Sequence, residues 1–556
     1  MGSFYAAITG GNTHKELKQY LEEKMIGWNR SKRKIRSVLA LTSAALAVDS
    51  CGSAAPDTQP DNDSPLSRDP PNIVFILVDD LGYGDISLND ELNTEYSIVN
   101  SPSINSIAAR GYNFSNAYMA SPVCAPSRSG LISSRFPSVM GLDGNESTRA
   151  NFSRIGQNTL PSLLKKAGYA TAVIGKWDMG GSISGDGIIS GLEDADILPQ
   201  GRGFDYFYGF PGGQNSYYPT GAVGAGTDGW HIINNAAVRG GAVDDSVGRN
   251  IREYGWDGTS YTPTSSYSHV YPSQHLTDIF TTKALDYIDA HANQEKPFFL
   301  YLAYNTPHSP YQVPDEFYQK YPGITDPMKR IYAAMNDQLD TRIGEILTKL
   351  DEKGIEDNTI IIFASDNGGV SLRQNGLEGP AYNGGLREGK WSDFDGGIRV
   401  PFIFSWPEVY QGGELFTTTI SSMDILPTLM RAAGYSAGSI KALGFDGVNL
   451  HPWLAGERNG TVHDYLFWRY ISDMNNEKGT IKYAALRENM KYLYIRAPGA
   501  PGQEYLFDIR ENRAEADSEN LVNNPAYTAE LIAMKLALNK WEAAMMPLPA
   551  GTPKRQ

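Results

Sequence analysis

The chain has 556 residues, 41% of them apolar, and a formal net charge of −15. This length is ample for a large buried core, and one large domain followed by a smaller one is the expected organisation. The negative charge argues against a nucleic-acid-binding protein, because such a protein needs a basic face. An anionic substrate must therefore be held by a local basic pocket. The two cysteines, Cys51 and Cys124, are too few for a disulfide framework.

Residues 1–51 are predicted to form a leader that precedes the folded protein. Basic residues at 32–36 stand before a short apolar run at 37–48, which is typical of a secretory signal and too short to span a bilayer comfortably. Cys51 follows in V-D-S-C, which resembles a bacterial lipobox. Lipidation of Cys51, giving a lipid anchor, and ordinary cleavage nearby are the two alternatives. We expect export to the periplasm, to the cell surface as a lipoprotein, or to the medium.

Short apolar runs alternate with helix-like stretches after a Pro-, Ser- and Asp-rich linker at 52–71. The predicted strands are 72–78, 170–175, 297–304 and 359–365, and the predicted helices are 162–168, 277–292 and 331–354. Runs that are apolar throughout suit strands buried on both faces. The alternation predicts an α/β fold, with a large, mostly parallel sheet between layers of helices.

The chain is predicted to divide into a catalytic domain at 72–447 and a C-terminal subdomain at 448–556. Four runs near the end of the chain predict a short antiparallel sheet, and a helix is expected to pack on it at 526–545. The runs of this sheet are 465–471, 481–487, 491–496 and 504–509.

Polar residues follow each of the four strands predicted for the large sheet. They are Asp79-Asp80, Lys176, Asn305-Thr-Pro-His308 and Asp366-Asn367. In open α/β sheets, ligands bind beyond the carboxyl ends of the strands, so these residues predict a site. The oxygen ligands of Asp79, Asp80, Asp366 and Asn367 suit Ca²⁺ or Mg²⁺ rather than zinc. Taken alone, D-N-G-G is better explained as a turn, since Asn-Gly is a strong turn former.

Cys124 stands at the predicted start of a helix, in S-P-V-C-A-P-S-R. Pro126 suits the first helical turn, and a helix N-terminus favours a developing negative charge nearby. Arg128, one turn later, can hold a carboxylate, a sulfate or an oxyanion. For an isolated cysteine, a small buried side chain would be the better interpretation.

The segment 124–135 resembles the signature C-x-P-S-R-x-x-L-x-T-G-R of the type I sulfatases, with Ser133-Ser134 in place of Thr-Gly. The resemblance extends over roughly residues 72–525, in blocks that keep the order of that family. The blocks are V-D-D-L-G-Y-G-D (78–85), G-K-W (175–177), R-G-F-D-Y-F-Y-G-F (202–210), N-T-P-H-S-P-Y (305–311), S-D-N-G-G (365–369), L-R-E-G-K…D-G-G-I-R-V-P-F (386–402), L-F-W-R-Y (466–470) and Y-L-F-D-I-R-E-N (505–512). This resemblance implies an alkaline-phosphatase-like fold.

The resemblance also implies that a maturation enzyme converts Cys124 to formylglycine (3-oxoalanine), whose hydrate is a geminal diol. One hydroxyl attacks sulfur and expels the alcohol, and the second lets the sulfated intermediate release sulfate, an exit that serine lacks. A divalent cation, Ca²⁺ with Mg²⁺ as the alternative, offsets the charge of nucleophile and substrate. Its implied ligands are Asp79, Asp80, Cys124, Asp366 and Asn367.

The resemblance assigns roles to the remaining polar residues. Arg128 steadies the diol, Lys176 and Lys390 bind sulfate oxygens, and His308 donates a proton to the leaving oxygen. The family commonly has G-K-W-H, whereas this chain has Asp178 in place of that histidine. Asp178 could polarise the diol or orient Lys176.

The segment 181–275 matches the family only around 202–210 and holds many aromatic residues. Aromatic rings with polar neighbours suit sugar faces, and a long loop that packs on itself is the alternative. His231, in this segment, is a weak candidate for a substrate-binding residue that replaces the missing histidine. The chain resembles bacterial sulfatases of polysaccharides such as carrageenan or ulvan, so a sulfated saccharide is the expected substrate.

Two other functions remain open at this point. A phosphate ester hydrolase of the alkaline-phosphatase-like superfamily typically carries paired zinc with several Asp and His ligands. This chain has eight histidines, of which only His308 lies in a matching block. A sugar-binding protein with an inactive sulfatase fold would keep Cys124 as a thiol.

Overall fold

The computed structural model describes residues 69–89, 100–145, 155–179, 198–218, 251–255, 274–371, 378–472 and 479–549, with residues 66–67, 552–553, 555 and short strands between 222 and 269. The described residues lie within one compact unit, Asp57–Gln556. Residues 1–56 lie outside the described residues, as does most of the linker, so the leader and the lipidation of Cys51 stay predictions. Among the described residues, no helix has the length and apolar character needed to cross a bilayer.

The strands of the described residues belong to one large sheet and several small ones. They are β1 Asn72–Val78, β2 Gly111–Phe114, β3 Ala117–Tyr118, β4 Ala170–Lys176, β5 Tyr206–Phe210, β6 Ala222–Val223, β7 Gly229–Ile233, β8 Ala236–Arg239, β9 Gly241–Ala242, β10 Arg252–Tyr254, β11 Ser268–His269, β12 Phe298–Ala303, β13 Gln312–Pro314, β14 Thr359–Ser365, β15 Phe402–Ser405, β16 Glu414–Phe416, β17 Ile420–Ser421, β18 Leu466–Ile471, β19 Ile481–Arg487, β20 Met490–Arg496 and β21 Gln503–Asp508. The four strands predicted for the large sheet are confirmed as β1, β4, β12 and β14.

The α-helices fill the connections between these strands. They are α1 Pro102–Ala109, α2 Cys124–Ser133, α3 Leu160–Lys166, α4 Leu276–His291, α5 Asp315–Tyr318, α6 Pro327–Glu352, α7 Asp395–Ile398, α8 Ile425–Ala432, α9 Ala437–Ala442, α10 His451–Leu454 and α11 Thr528–Ala544. Helix α6 begins four residues before the predicted start at 331. The Asp326 side chain caps it by accepting hydrogen bonds from the backbone N–H groups of Met328 and Lys329.

The large sheet has ten strands in the order β11-β10-β5-β4-β12-β1-β14-β15-β2-β16. Its centre, β5-β4-β12-β1-β14, is parallel, and β14 and β15 pair antiparallel. Ile76 of β1 lies between Leu302 of β12 and Phe363 of β14. Because these five strands run in one direction, their carboxyl ends meet at one edge.

Helices cover both faces of this sheet, as the alternation of buried side chains along β1 shows. Ile73, Phe75 and Leu77 pack in one apolar cluster with residues of α2, α3 and α8. Val74 and Ile76 point to the other face, in a cluster with residues of α4 and α6. The expected layered α/β fold is confirmed.

The C-terminal sheet is an antiparallel meander of β18, β19, β20 and β21. Trp541 and Leu538 of α11 pack on one face of it, in one apolar cluster. Trp468 on the other face packs with Tyr118 and Phe394 of the larger part. The antiparallel sheet and the final helix are confirmed, whereas the proposed domain boundary at 447/448 stays a prediction.

Candidate active site

The carboxyl ends of β1, β4 and β14 place three of the predicted polar segments side by side. Asp79 follows β1, Lys176 ends β4 and Asp366 follows β14, whose neighbour β1 accepts a hydrogen bond at Val78 O from Asp366 N. Gly175 precedes the lysine with φ +114, and a Cβ there would lie 1.9 Å from the carbonyl oxygen of Ala303. Only glycine fits this position, so it fixes how closely β4 and β12 approach where the site begins.

Cys124 is the first residue of α2, as the position of Pro126 predicts. The Cys124 side chain is 2% exposed, and its Sγ lies 3.6 Å from Asp79 Oδ1. Every residue of α2 is buried. The nucleophile predicted from the sequence therefore lies in the interior, directly against a predicted metal ligand.

Arg128 connects the ends of three strands. Its Nε donates to Asp366 Oδ2 at 2.8 Å, and its Nη1 donates to the backbone carbonyl of Lys176 at 2.8 Å. Its Nη2 lies 3.5 Å from Asp79 Oδ2. Lys176 Nζ lies 2.6 Å from the same Asp79 oxygen. The structure thus brings two predicted anion-binding cations against two predicted metal ligands.

A second group surrounds Asp80, which takes a left-handed φ of +67. Asp80 Oδ1 accepts from Asn367 Nδ2 at 2.8 Å and lies 2.6 Å from Lys390 Nζ. Its Oδ2 lies 3.6 Å from His308 Nε2. His308 Nδ1 donates to the carbonyl of Ser309, which leaves Nε2 facing the site.

The carboxylate and amide oxygens of the site suit a hard divalent cation. Asp79, Asp80, Cys124 and His308 each offer one ligand atom, and these atoms lie within 4.8 Å of one another. Two buried oxygens of the site, Asp79 Oδ2 and Asn367 Oδ1, accept no hydrogen bond from any residue that the structure describes. Asp79 Oδ2 faces Lys176 Nζ closely but without hydrogen-bond geometry. Buried oxygens without such bonds call for another partner, and Ca²⁺ and Mg²⁺ prefer oxygen ligands.

The charges of the site have opposed effects on its carboxyl groups. Burial alone would raise the pKa of Asp79, but Lys176, His308 and Arg128 outweigh burial and hold that pKa well below its usual range. For Asp366, burial and the neighbouring Asp79 prevail and raise the pKa to about 7. A cation between these carboxylates would favour the ionised form of both.

The pKa values of Cys124, Lys390 and His308 are shifted too, and these shifts affect which chemical roles the three side chains can take. Burial raises the pKa of the Cys124 thiol well above its usual value, so a thiolate is not populated at neutral pH. Burial would lower the pKa of Lys390, but the neighbouring acidic groups, with Asp80 first, together outweigh burial, raise that pKa and keep the lysine charged. Burial, followed by Lys390, lowers the pKa of His308.

Asp178, the departure from the family pattern, lies within the site. Its Oδ2 is 3.2 Å from Lys176 Nζ, and the side chain is 6% exposed. Its backbone N–H donates to Pro211 O, and a Cβ on Gly213 would lie 2.9 Å from Asp178 Oδ1. Asp178 is therefore a buried counter-ion of Lys176. His231 lies in strand β7, which pairs with β13. The side chain of His231 lies outside the described residues.

The sequence reasoning missed residues that hold the loops of the site in place. Asn383 Nδ2 donates to the carbonyls of Gly369 and Glu388, and its Oδ1 accepts from Gly369 N. This amide joins the loop after β14 to the loop that carries Lys390. Asn-Gly at 383–384 is a turn signal, but a turn signal does not reveal a contact between two loops.

Asp85 has a similar role for the loop after β1. Burial raises its pKa to about 6, and it accepts hydrogen bonds from Tyr332 OH and from the backbone N–H groups of Gly82 and Tyr382. Tyr332 OH also donates to the carbonyl of Asp80. Asp85 is the last residue of V-D-D-L-G-Y-G-D (78–85), but the spacing of this motif does not reveal these partners.

Comparisons with known proteins agree with this geometry. The chain is 30% identical over 422 residues to the human N-acetylgalactosamine-6-sulfatase, covering 73% of this chain and 69% of that protein. It is 29% identical over 434 residues to the uncharacterized sulfatase YdeN of Escherichia coli (strain K12), covering 72% of this chain and 68% of that protein. The crystal structure of Ps i-CgsB in complex with k-i-k-neocarrahexaose is similar, with a TM-score of 0.67, 28% identity and coverage of 86% of this chain and 93% of that one. The model of the sulfatase family matches residues 71–435, so this chain belongs to the type I sulfatase family and is a sulfuric ester hydrolase.

Proposed function

We propose that this sulfatase hydrolyses sulfate esters of a saccharide, using a formylglycine made from Cys124 and a divalent cation. The observation that carries the proposal is the position of the buried Cys124, 3.6 Å from Asp79 and surrounded by charged residues of four strand ends. The residues proposed to act with Cys124 are Arg128, Lys176, Asp178, His308 and Lys390.

The cation is proposed to bind Asp79, Asp80, Asp366, Asn367 and the modified Cys124. When bound, a divalent cation offsets the charge of nucleophile and sulfate and polarises their oxygens. The all-oxygen donor set favours Ca²⁺, with Mg²⁺ as the alternative. Asp79 Oδ2 and Asn367 Oδ1, which accept no hydrogen bond from a described residue, support this assignment.

The formylglycine supplies, as its hydrate, one hydroxyl to attack sulfur and a second to expel sulfate. The unmodified thiol suits this chemistry poorly, since burial raises its pKa well above the usual value. A maturation enzyme that converts Cys124 is therefore a necessary partner in this proposal.

The basic residues are proposed to hold the sulfate group. Lys176 and Lys390 stay charged because Asp178 and Asp80 face them, so each can bind a sulfate oxygen as a point charge. Arg128 keeps Asp79 and Asp366 in place and is proposed to steady the diol. His308 Nε2, once protonated, is the group proposed to donate a proton to the leaving oxygen.

The proposal of a saccharide substrate rests on relatives. Ps i-CgsB was solved with k-i-k-neocarrahexaose, and another relative is named N-acetylgalactosamine-6-sulfatase. Both names point to sulfated sugars, which agrees with the aromatic-rich segment 181–275. We propose a sulfated galactan, such as carrageenan, as the substrate class.

Export is proposed from the sequence alone. The basic and apolar pattern before Cys51 is that of a secretory signal, and a lipid anchor at Cys51 would hold the enzyme at the cell surface. A polymeric substrate that cannot enter the cell is consistent with this location.

The proposal is tested on protein made with and without a co-expressed formylglycine-generating enzyme. Mass analysis of the Cys124 peptide should show the aldehyde or its hydrate only with that enzyme. Sulfate release from a carrageenan oligosaccharide should rise with the modified fraction. Turnover by protein whose Cys124 is entirely a thiol would rule out the proposed nucleophile, and activity on aryl sulfates alone would rule out the substrate class.

A further inference from the structure

Trp391, which follows Lys390 directly, has a backbone conformation that tryptophan rarely adopts. Its φ is +74, in the left-handed region that favours glycine. A bulky side chain in this region is strained, and such strain persists only where the surroundings enforce it. Strained positions of this kind occur most often at active sites and ligand clamps.

Hydrogen bonds on both sides of Trp391 enforce its conformation. Its backbone N–H donates to the carbonyl of Pro122 at 3.0 Å, two residues before Cys124. Its carbonyl accepts from Lys482 Nζ of β19 at 3.1 Å. The segment just before Cys124 and the C-terminal sheet therefore both hold Trp391 in place.

The ring of Trp391 lies beside a residue proposed to bind sulfate. Lys390 Nζ is 5.5 Å from the centroid of the ring and 2.6 Å from Asp80 Oδ1. The residue is partly exposed, and among the described residues it joins none of the apolar clusters of the core. Its indole N–H makes no hydrogen bond to a described residue. The strain is thus not explained by packing.

We propose that Trp391 is a sugar-binding residue, whose ring stacks on the pyranose that carries the scissile sulfate. A sugar sulfate held by Lys390 brings its ring close to this tryptophan. Aromatic rings bind the apolar faces of sugars, and the free indole N–H can donate to a hydroxyl. This inference rests on the proposed saccharide substrate and adds a residue that neither the motifs nor the metal site indicate.

The test compares Trp391→Ala and Trp391→Phe with the formylglycine-containing unaltered enzyme. For a sulfated carrageenan hexasaccharide, kcat/KM should fall about tenfold or more in Trp391→Ala and about threefold or less in Trp391→Phe. Inhibition by inorganic sulfate should be unchanged in both, because sulfate contacts only the charged residues. Equal weakening of sulfate inhibition and saccharide turnover would show that Trp391 only positions Lys390 and would overturn the proposal. Unchanged saccharide turnover in Trp391→Ala would overturn it as well.

A stability measurement separates sugar binding from structural packing. Trp391→Gly relieves the positive φ, so its Tm should equal or exceed that of the unaltered protein while saccharide turnover falls. Trp453, which packs against the apolar core, is the control, and Trp453→Ala should lower the Tm without this selective loss. A lower Tm for Trp391→Gly would assign the ring to packing and overturn the proposal.

The two proposals fail in different ways. If the unaltered enzyme hydrolyses aryl sulfates but no sulfated saccharide, the substrate class is wrong and the role of Trp391 falls with it. If the unaltered enzyme and Trp391→Ala hydrolyse the hexasaccharide equally, only the role of Trp391 is wrong.

Discussion

Lys176 Nζ lies 2.6 Å from Asp79 Oδ2, and both side chains are fully buried. A lysine proposed to bind the substrate and a carboxylate proposed to bind the metal thus form one unit, so the charge of the site must be considered as a whole. Contacts shorter than 4 Å connect three cationic and four anionic residues of the site. They are Arg128, Lys176, Lys390, Asp79, Asp80, Asp178 and Asp366. With a divalent cation bound and His308 neutral, these groups would carry one net positive charge, which matches a singly charged sulfate ester.

Asp178 should therefore favour sulfate over phosphate esters, which carry up to two negative charges. Asp178→Asn should raise the ratio of phosphate to sulfate ester kcat/KM by about thirtyfold, since one buried charge that is not in direct contact contributes roughly 2 kcal/mol. Assays of p-nitrophenyl sulfate and p-nitrophenyl phosphate with both proteins give this ratio. An equal loss on both esters would mean that Asp178 only orients Lys176.

Replacing Cys124 with Ser should abolish multiple turnover and leave the fold intact. Serine could attack sulfur, but the sulfated serine lacks a second hydroxyl to expel sulfate, so at most one turnover follows. Sulfate release per enzyme and thermal unfolding measure the two effects. Sustained turnover by Cys124→Ser would contradict the formylglycine mechanism.

His308→Ala should slow hydrolysis of a sugar sulfate far more than that of an aryl sulfate, since only the poor leaving group needs a donated proton. The protonated ring is the active form, so this activity should be present at low pH and lost as pH rises through the pKa of His308. Burial lowers that pKa below its usual value of about 6.5. The profile of kcat/KM against pH should lose this limb in His308→Ala. Equal losses on both substrates would remove His308 from the acid role.

Removal of divalent cations should lower both activity and Tm. Asp79, Asp80 and Asp366 would be left as neighbouring buried carboxylates, which repel one another. Chelation followed by Ca²⁺ or Mg²⁺ titration, read by thermal unfolding, identifies the ion without relying on turnover. In Asp366→Ala, added Ca²⁺ should no longer raise the Tm, and a full calcium effect there would exclude Asp366 as a ligand.

The central strands β1, β4, β12 and β14 could be predicted from the sequence, because a parallel strand that is buried on both faces is a run of apolar residues followed by polar ones. The sequence predicted Asp79, Lys176 and Asp366 as neighbours for the same reason, since the ends of such strands share an edge. It could not predict Asn383 or Trp391, which act through contacts between loops far apart in the chain. Backbone conformation such as the φ of Trp391 leaves no mark in residue spacing, because it is imposed by tertiary contacts.

The contact between the C-terminal sheet and the larger part should contribute strongly to stability. Lys491 is fully buried, with its Nζ 2.6 Å from Asp395 Oδ1 and 3.0 Å from Glu515 Oε1. Lys491→Met should destabilise the protein by about 3–5 kcal/mol in denaturant unfolding, since two buried carboxylates lose their partner. Lys535→Met is the control, because its pair with Glu504 is partly exposed and contributes about 1 kcal/mol or less. Similar effects of the two variants would contradict this account.

The burial of Cys124 limits the time during which its proposed conversion to formylglycine can occur. The side chain is 2% exposed within a helix that is buried throughout, so an enzyme that oxidises it must reach it before that helix is enclosed. The loop at 391–395 contacts the segment before Cys124, since Trp391 N–H donates to the carbonyl of Pro122. This loop is held by Lys482, Lys491 and Glu515, which are synthesised much later. At roughly 5–20 residues per second, synthesis from Cys124 to Glu515 takes on the order of 20–80 seconds. Slower translation or delayed folding of the C-terminal part would lengthen this interval and raise the modified fraction.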